Sequence, residues 1–130
     1  KYLLRRNIVE TEKLICLRPV PFYMSGPEKK SFRQSLIADC NVVIFLFGKS
    51  NGLNGSEGVL EEFEIAQSLN KYIIPIGITG YSSSQIAKKV IKNLKKYPYL
   101  KKYISILNNE KNVSFLTRHI LDLLNELCGE

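Results

Sequence analysis

Histidine and cysteine are scarce in this sequence, which limits the chemistry that it can perform. There is one histidine, His119, and there are three cysteines, Cys16, Cys40 and Cys128. No pair of cysteines has the spacing of metal ligands, and His119 has no neighbouring ligand, so the sequence predicts no metal site. The cysteines are odd in number, far apart and surrounded by apolar residues. We therefore expect reduced thiols in the core and, with them, a cytoplasmic protein.

Long apolar runs are also missing. No run approaches the roughly 20 residues that a transmembrane helix needs, so we expect no membrane partner. The first residues, KYLLRRNIVETEK, place basic residues among the apolar ones and carry no cleavage site, which is unlike a signal peptide. The chain has 130 residues, of which 45% are hydrophobic and 24% charged. This length and composition predict one soluble globular domain, residues 1–130.

The net charge of +7 raises the question of a nucleic-acid partner. Much of the excess lies between Lys88 and Lys102, where seven lysines and no arginine occur. In the same stretch Val90, Ile91 and Leu94 are spaced like the buried side of a helix. The pattern indicates a solvated helix face, so nucleic acid is not an expected partner.

Alternating strand and helix patterns indicate the fold class. Short apolar runs rich in β-branched and aromatic residues predict strands at Leu14–Leu17, Asn41–Phe47 and Tyr72–Ile78. Their continuous hydrophobicity is typical of parallel strands covered on both faces. Helical periodicity occurs in Lys29–Cys40, Glu57–Asn70, Ser84–Tyr97 and Val113–Cys128. The sequence therefore predicts an α/β fold, a parallel sheet with helices on both faces.

The sequence opens without the elements that begin most doubly wound domains. Such a domain normally starts with a strand and a phosphate-binding turn. The segment KYLLRRN instead has the pattern of the last turns of a helix, with no strand ahead of it. We therefore expect a fragment that lacks its first strand and glycine-rich turn.

Three charged residues fall beyond the carboxyl ends of the predicted strands, where an open parallel sheet binds its ligand. Arg33 lies in the second turn of the first predicted helix, Lys49 follows Asn41–Phe47, and Glu62 lies in the next helix. At about 100° per residue, Arg33 and Glu62 fall within the apolar arcs of their helices. A buried charge is costly unless it is paired or bound to a ligand. The two residues form either a structural ion pair or part of a polar site, and we favour the site.

The other glutamates of this helix have simpler explanations. Glu57, Glu61 and Glu64 lie near the helix N-terminus, where carboxylates offset the helix dipole, or on the solvent face. The helical wheel points Glu61 and Glu64 away from Glu62. We assign these three residues no chemistry.

Four glycines accompany the loop after the second predicted strand, at Gly48, Gly52, Gly55 and Gly58. Glycine lets backbone amides approach a ligand closely, and a helix N-terminus favours phosphate. The segment matches no phosphate-loop or dinucleotide fingerprint. It is either a ligand-binding loop or an ordinary flexible surface loop.

Four segments taken in order, ICLRPVPF, FRQSLIADCNVVIFLFG, SEGVLEEFEIA and IIPIGITGY, resemble the SLOG (Smf/DprA–LOG) sensor domains of Thoeris antiphage effectors. The resemblance covers about residues 1–81. It implies a Rossmann-like domain that binds a cyclic ADP-ribose isomer made by a partner TIR-domain protein. It also implies a sirtuin-like domain in the same chain, which hydrolyses NAD once the signal is bound. For the sensor itself it implies no cofactor and no catalytic residue.

The resemblance further implies which residues bind the ligand. The family's arginine in RQ corresponds to Arg33, its acidic residue in EEFEIA to Glu62, and its lysine after FG to Lys49 or Ser50. Arg33 and Lys49 would hold the pyrophosphate, Glu62 would accept hydrogen bonds from a ribose hydroxyl, and the glycine loop would close over the ligand. The full expected set is Arg33, Gly48, Lys49, Ser50, Gly58 and Glu62.

Cleavage of an N-glycosidic bond is the alternative function. Nucleoside deoxyribosyltransferases, TIR domains and LOG-type phosphoribohydrolases perform such cleavage, and the first two also place a glutamate after a strand-end loop. The LOG-type PGGxGT stretch has no counterpart in NGLNGSEG, but Glu62 can supply the carboxylate that a glycosidase requires. Two cations, Arg33 and Lys49, are better suited to binding a pyrophosphate than to cleaving a sugar. A binding domain is therefore the preferred interpretation.

A sensor must pass its signal on through an interface, because coupling requires an element with two arrangements. The predicted helix Val113–Cys128 carries a wide apolar stripe, and the glycine loop can present a new surface when it closes. We expect a homo-oligomer, at least a dimer, whose packing the ligand changes.

Overall fold

The computed structural model describes residues 23–49 and 55–129. The predicted strand Leu14–Leu17, the opening segment KYLLRRN, Cys16 and Ser50 lie outside these ranges. The expectation that a first strand and a glycine-rich turn are missing concerns residues outside these ranges as well.

A parallel pair of strands forms the centre of the described chain. Strand β1 covers Val42–Phe45 and β2 covers Tyr72–Pro75, with Val42 opposite Tyr72 and Phe45 opposite Pro75. Parallel neighbours need a crossover, which helix α2, Glu57–Ser68, provides. This arrangement confirms the predicted α/β fold class.

Both strands end earlier than predicted, and each for a local reason. Phe47 has a φ of 53°, outside the β region, so β1 cannot continue to the predicted end. After β2 the chain tightens into a 3₁₀ turn at Gly77–Thr79.

Four further α-helices of the described residues pack around this centre, mainly on the side of β2. Helix α1 is Gly26–Ala38, α3 is Tyr81–Lys92, α4 is Ile104–Asn109 and α5 is Val113–Cys128. Helix α5 has the predicted bounds. Helix α1 begins three residues before the predicted start, because Ser25 and Glu28 form a capping box in which each side chain accepts the other's backbone N–H.

Helix α3 differs most from its prediction, Ser84–Tyr97. It begins three residues earlier, and after Lys92 the chain continues in two 3₁₀ turns, Leu94–Lys96 and Pro98–Leu100. The α-helix ends because Asn93 leaves the helical conformation, with a φ of −129°. Pro98 then begins the second 3₁₀ turn, where its missing N–H is not needed. All seven lysines from Lys88 to Lys102 are exposed, which confirms the prediction of a solvated face.

The core lies against β2. Successive strand residues point to opposite faces, and Ile73 and Ile74 are both fully buried, so β2 is covered on both faces as predicted. The same prediction is wrong at Ile44 of β1, whose side chain is 42% exposed. The described elements pack on the β1 face that carries Phe45. The Phe45 and Phe63 rings meet edge to face, with 6.0 Å between their centroids.

The outer edge of β2 is closed by a tyrosine. The Ile73 N–H donates to the Tyr99 hydroxyl at 2.8 Å, and that hydroxyl donates to the Ile73 carbonyl at 3.2 Å. Pro75 adds no N–H to this edge, which disfavours pairing with a further strand. Burial raises the pKa of Tyr99 to about 12, which keeps the hydroxyl protonated and able to donate.

The expectation of buried thiols is wrong for two of the three cysteines. Cys40 and Cys128 are both free and exposed. Each follows or ends a helix, where the chain turns away from the core, and an apolar sequence neighbourhood does not reveal this.

Two buried serines join the start of α3 to the end of β1. The Ser83 hydroxyl donates to the Phe45 carbonyl at 2.9 Å, and the Ser83 N–H donates to the Phe47 carbonyl at 2.9 Å. The Ser82 hydroxyl donates to the Gly48 carbonyl at 2.8 Å and accepts the Ser56 N–H at 2.7 Å. The Ser56 N–H also donates directly to the Gly48 carbonyl at 2.6 Å, so Ser82 reinforces a contact that already joins the two ends of the glycine loop. We call Gly48, Ser56 and Ser82 the loop neck.

Replacing Ser82 with alanine should destabilise the chain by about 0.5–1.5 kcal/mol, because the Gly48 carbonyl and the Ser56 N–H each lose one hydrogen bond and keep the one between them. Ser114 provides a matched control: it is also the second residue of its helix, but its side chain is exposed. Ser114→Ala should stay within about 0.5 kcal/mol of wild type. Urea unfolding measures both variants, and equal stabilities would show that the loop neck is not a structural constraint.

Candidate functional site

The candidate site lies at the carboxyl edge of the sheet, where β1 and β2 both end. Lys49 lies four residues beyond the end of β1, α2 begins just after the glycine loop, and α3 begins at Tyr81 beyond β2. The loop neck fixes these three points relative to one another. Loops leading into helix N-termini therefore converge where ligands of open α/β sheets bind.

Arg33 connects α1 to α2 through two carboxylates. Its Nη1 donates to Glu61 Oε2 at 2.5 Å, and its Nε lies 3.4 Å from Glu62 Oε1. The Arg33 side chain is 26% exposed and that of Glu62 is 38% exposed, so both are half-buried rather than fully buried. The structure thus brings Arg33 and Glu62 together as an ion pair.

The contact with Glu61 contradicts the expectation that this residue faces solvent. The helical wheel gives directions from the helix axis, but a glutamate side chain is long enough to reach sideways along a packed neighbour. Because α1 packs against the first turns of α2, Arg33 is within reach of both adjacent glutamates. The only sequence signal for the contact between Arg33 and Glu61 is that two adjacent glutamates follow the arginine-bearing helix.

Glu62 is in an electrostatically unfavourable position. Burial raises the pKa of its carboxyl group, and the neighbouring Glu61 carboxylate raises it further, while Arg33 opposes both effects. Burial is the larger influence, so the net direction is upward. A carboxylate held in this state accepts hydrogen bonds strongly from any donor that reaches it.

Two of the expected ligand-binding glycines are packed against protein atoms. A Cβ at Gly58 would lie 2.5 Å from Arg33 Nη2, so glycine makes room for the guanidinium. Gly48 has a φ of +90°, and a Cβ there would lie 2.7 Å from the Cβ of Ser82. The fold itself therefore requires glycine at positions 48 and 58. That these two residues contact a ligand stays a prediction.

Lys49 lies apart from the ion pair. Its side chain is exposed, and its Nζ lies 5.5 Å from the centroid of the Tyr81 ring. A Cβ at Gly48, next to Lys49, would approach Val59, and a Cβ at Gly58 would approach Arg33, so both cations lie near the start of α2. The sequence analysis did not identify Tyr81 as a neighbour of Lys49. The only sequence signal for it is that an aromatic residue directly follows Gly80.

A cleft of about 730 Å³ opens beside Arg33, between the first turns of α1 and α2. Its charged lining is balanced, with three basic residues, Lys29, Lys30 and Arg33, and three acidic residues, Glu57, Glu61 and Glu64. Gly58 also lines it, whereas Lys49 and Glu62 do not. The sequence reasoning missed Lys29 and Lys30, which form the basic rim.

Within residues 23–49 and 55–129, no group of three or more His, Cys, Asp or Glu side chains is arranged to hold a metal ion. In the same residues, no helix has the length and apolar character required to cross a membrane.

Comparisons with known proteins agree on one family. A family model described as the Sir2- and TIR-associating SLOG family, STALD, matches residues 1–127. NAD(+) hydrolase ThsA of Bacillus cereus (strain MSX-D12) is 31% identical over 82% of the chain and 24% of that protein. The enzyme of the same name from Enterococcus faecium is 28% identical over 95% of the chain and 27% of its own length. The chain therefore spans about a quarter of the length of these curated relatives.

Glu62→Gln should leave the free energy of unfolding unchanged or raise it at neutral pH. The carboxyl pKa is raised in the folded chain above its ordinary value of 4.5, so the folded chain binds more protons than the unfolded chain just above that pH. Stability conferred by the wild-type residue is therefore lost as the pH rises through this window. The glutamine variant does not titrate and avoids that loss.

Urea unfolding of wild type and Glu62→Gln on both sides of pH 4.5 measures the effect. The two curves should converge at acid pH, where the wild-type carboxyl is protonated. Glu64→Gln on the exposed face of the same helix serves as the control. A marked loss of stability in Glu62→Gln at neutral pH would instead identify its pairing with Arg33 as a net stabilising interaction.

Proposed function

The chain belongs to the STALD family, the Sir2- and TIR-associating SLOG proteins, and we propose that residues 1–130 form one regulatory domain that senses a nucleotide signal in antiphage defence. The ligand is a cyclic ADP-ribose isomer. Its binding activates a sirtuin-like domain in the same chain, which hydrolyses NAD. Both relatives described above are named NAD(+) hydrolases, and the match to them covers only a quarter of each, which supports a separate regulatory unit.

The proposed contacts follow the charges at the carboxyl edge. Arg33 and Lys49 hold the pyrophosphate, and Glu62 accepts a hydrogen bond from a ribose hydroxyl. Gly48, Ser50 and Gly58 let the loop approach the ligand. The observation that carries the proposal is the half-buried Arg33 bracketed by Glu61 and Glu62 beside a polar cleft.

Binding of phosphate at Arg33 requires a change of partners. Glu61 contacts Nη1, the same group that a phosphate oxygen would use, so the ligand competes with Glu61. Arginine binds phosphate bidentately, whereas each carboxylate here uses a different nitrogen. The exchange frees the Glu61 carboxylate and alters the α1–α2 contact, which gives the sensor a local element with two arrangements.

The remaining partners are part of the same proposal. The domain acts in the cytoplasm as a homo-oligomer, without a cofactor, membrane or nucleic acid. Most of the apolar stripe predicted on α5 packs against the core instead: Leu116, Ile120, Leu123, Leu124 and Leu127. The apolar surface that α5 leaves for self-association is Val113 of that stripe, with Phe115 and Leu121 outside it.

A glycosidase function is the second candidate, and one observation favours it. The raised pKa of Glu62 is a property of carboxyl groups that act as general acids. The ion pair with Arg33 works against this role, because a guanidinium favours the ionised carboxylate.

Arg33→Ala and Lys49→Ala should each weaken binding of cyclic ADP-ribose isomers roughly 10- to 150-fold, which corresponds to about 1.5–3 kcal/mol for a charge-assisted contact. Isothermal titration calorimetry with cyclic ADP-ribose isomers and ADP-ribose measures the loss. Arg118→Ala and Lys101→Ala remove the same charges from exposed positions elsewhere and should bind like wild type.

Normal binding by either site variant would contradict the phosphate assignment. Circular dichroism distinguishes a second outcome for Arg33, since an unfolded Arg33→Ala chain would show that the ion pair is purely structural. Lys49 is exposed and belongs to no ion pair among the described residues, so Lys49→Ala should remain folded.

The purified chain should release neither nicotinamide nor free base when incubated with NAD, nucleoside monophosphates or cyclic ADP-ribose isomers. The reason is that Arg33 already pairs with the Glu62 carboxylate and opposes the rise in pKa that a general acid needs. Liquid chromatography of the reaction mixture tests this. Turnover that disappears in Glu62→Gln would establish the glycosidase instead.

A further inference from the structure

Tyr81 has an unusual backbone conformation at the first position of α3. Its φ is 53°, in the left-handed region that bulky residues rarely adopt. The preceding Gly80 has φ 79° and ψ −167°, a combination that is essentially restricted to glycine. The chain thus enters α3 through two consecutive rare conformations.

Neighbouring hydrogen bonds impose this entry. Ser82 and Ser83 follow Tyr81 directly and are fixed to the ends of β1 and the glycine loop, so α3 cannot rotate to relieve the residue before them. Burial of the ring does not explain the conformation, because Tyr81 is 47% exposed. Strained residues that their surroundings hold in place are concentrated at binding sites.

The ring stands beside the cation expected to bind phosphate. Lys49 Nζ lies 5.5 Å from the ring centroid, within the range of a cation–π contact. In an exposed position this contact is weak, and a phosphate group competes for the ammonium with a full charge. When Lys49 moves to a phosphate, the face of the Tyr81 ring becomes available.

We propose that Tyr81 stacks on the base of the bound nucleotide while Lys49 leaves the ring for the pyrophosphate. This inference rests on the proposed function and adds a residue that selects for a nucleobase over a bare phosphate. An aromatic face can stack on any base, and the adjacent cation places the base next to its own phosphates.

The first experiment uses the absence of tryptophan from this sequence. Tyr81→Trp introduces a single indole, whose fluorescence should be quenched by cyclic ADP-ribose isomers or ADP-ribose but not by pyrophosphate. Tyr72→Trp is the matched control: Tyr72 is 43% exposed and begins β2, at the opposite end of the sheet. Its emission should not respond. Equal responses at both positions, or none at Tyr81→Trp while calorimetry shows binding, would overturn the proposal.

The second experiment separates the ring from the backbone. Asparagine tolerates the left-handed region, so Tyr81→Asn should keep or raise the thermal midpoint while weakening nucleotide binding about 5- to 150-fold. Tyr81→Phe should bind like wild type, and pyrophosphate should bind all three proteins equally. A purely structural Tyr81 would instead lose stability in Tyr81→Asn without any preference among ligands.

Different results would overturn the proposed function and the stacking role of Tyr81. If Lys49→Ala loses nucleotide binding and Tyr81→Asn does not, the proposed function stands and the stacking role is overturned. If the wild-type chain binds neither nucleotide nor pyrophosphate, both are overturned together.

Discussion

The loop neck is the constraint on which the rest of this structure depends. Ser82 and Ser83 are fully buried, and a buried hydroxyl is tolerated only when its hydrogen bonds are made. Here the partners are backbone groups at the end of β1 and at both ends of the glycine loop. Ser82 and Ser83 therefore tie the start of α3 to the end of β1 and to the residues that enter α2. The strained conformation of Tyr81 follows from the same bonds.

The second constraint is electrostatic and links α1 to α2. Arg33 is shared by two carboxylates, one at 2.5 Å and one at 3.4 Å, so the cluster carries a net negative charge. Such a cluster is a structural contact and also a candidate anion switch, because an incoming phosphate can replace a carboxylate on the guanidinium. These two roles do not exclude each other. A sensor needs an interaction that is stable without its ligand and exchangeable with it.

Membership of the STALD family gives this arrangement a functional context. The curated relatives are named NAD(+) hydrolases, and this chain corresponds to about a quarter of their length. In the proposed scheme, recognition occurs at the carboxyl edge and catalysis occurs in another part of the same protein. The connection between them must run through elements that touch the site, and α1 and α2 meet at Arg33 itself.

The amino-acid sequence by itself determined the features that depend on local periodicity. Continuous apolar runs predicted parallel strands, helical spacing gave the bounds of α5, and the lysine-rich stretch was correctly read as a solvated face. It also placed Arg33 close to Glu62, since helix wheels record which face a residue occupies. Only the tertiary structure decided that Glu61 is the nearer partner, that Cys40 and Cys128 are exposed, and that Lys49 lies over Tyr81. These features depend on how far long side chains reach between packed elements and on backbone angles imposed by distant hydrogen bonds, neither of which leaves a periodic pattern in the sequence.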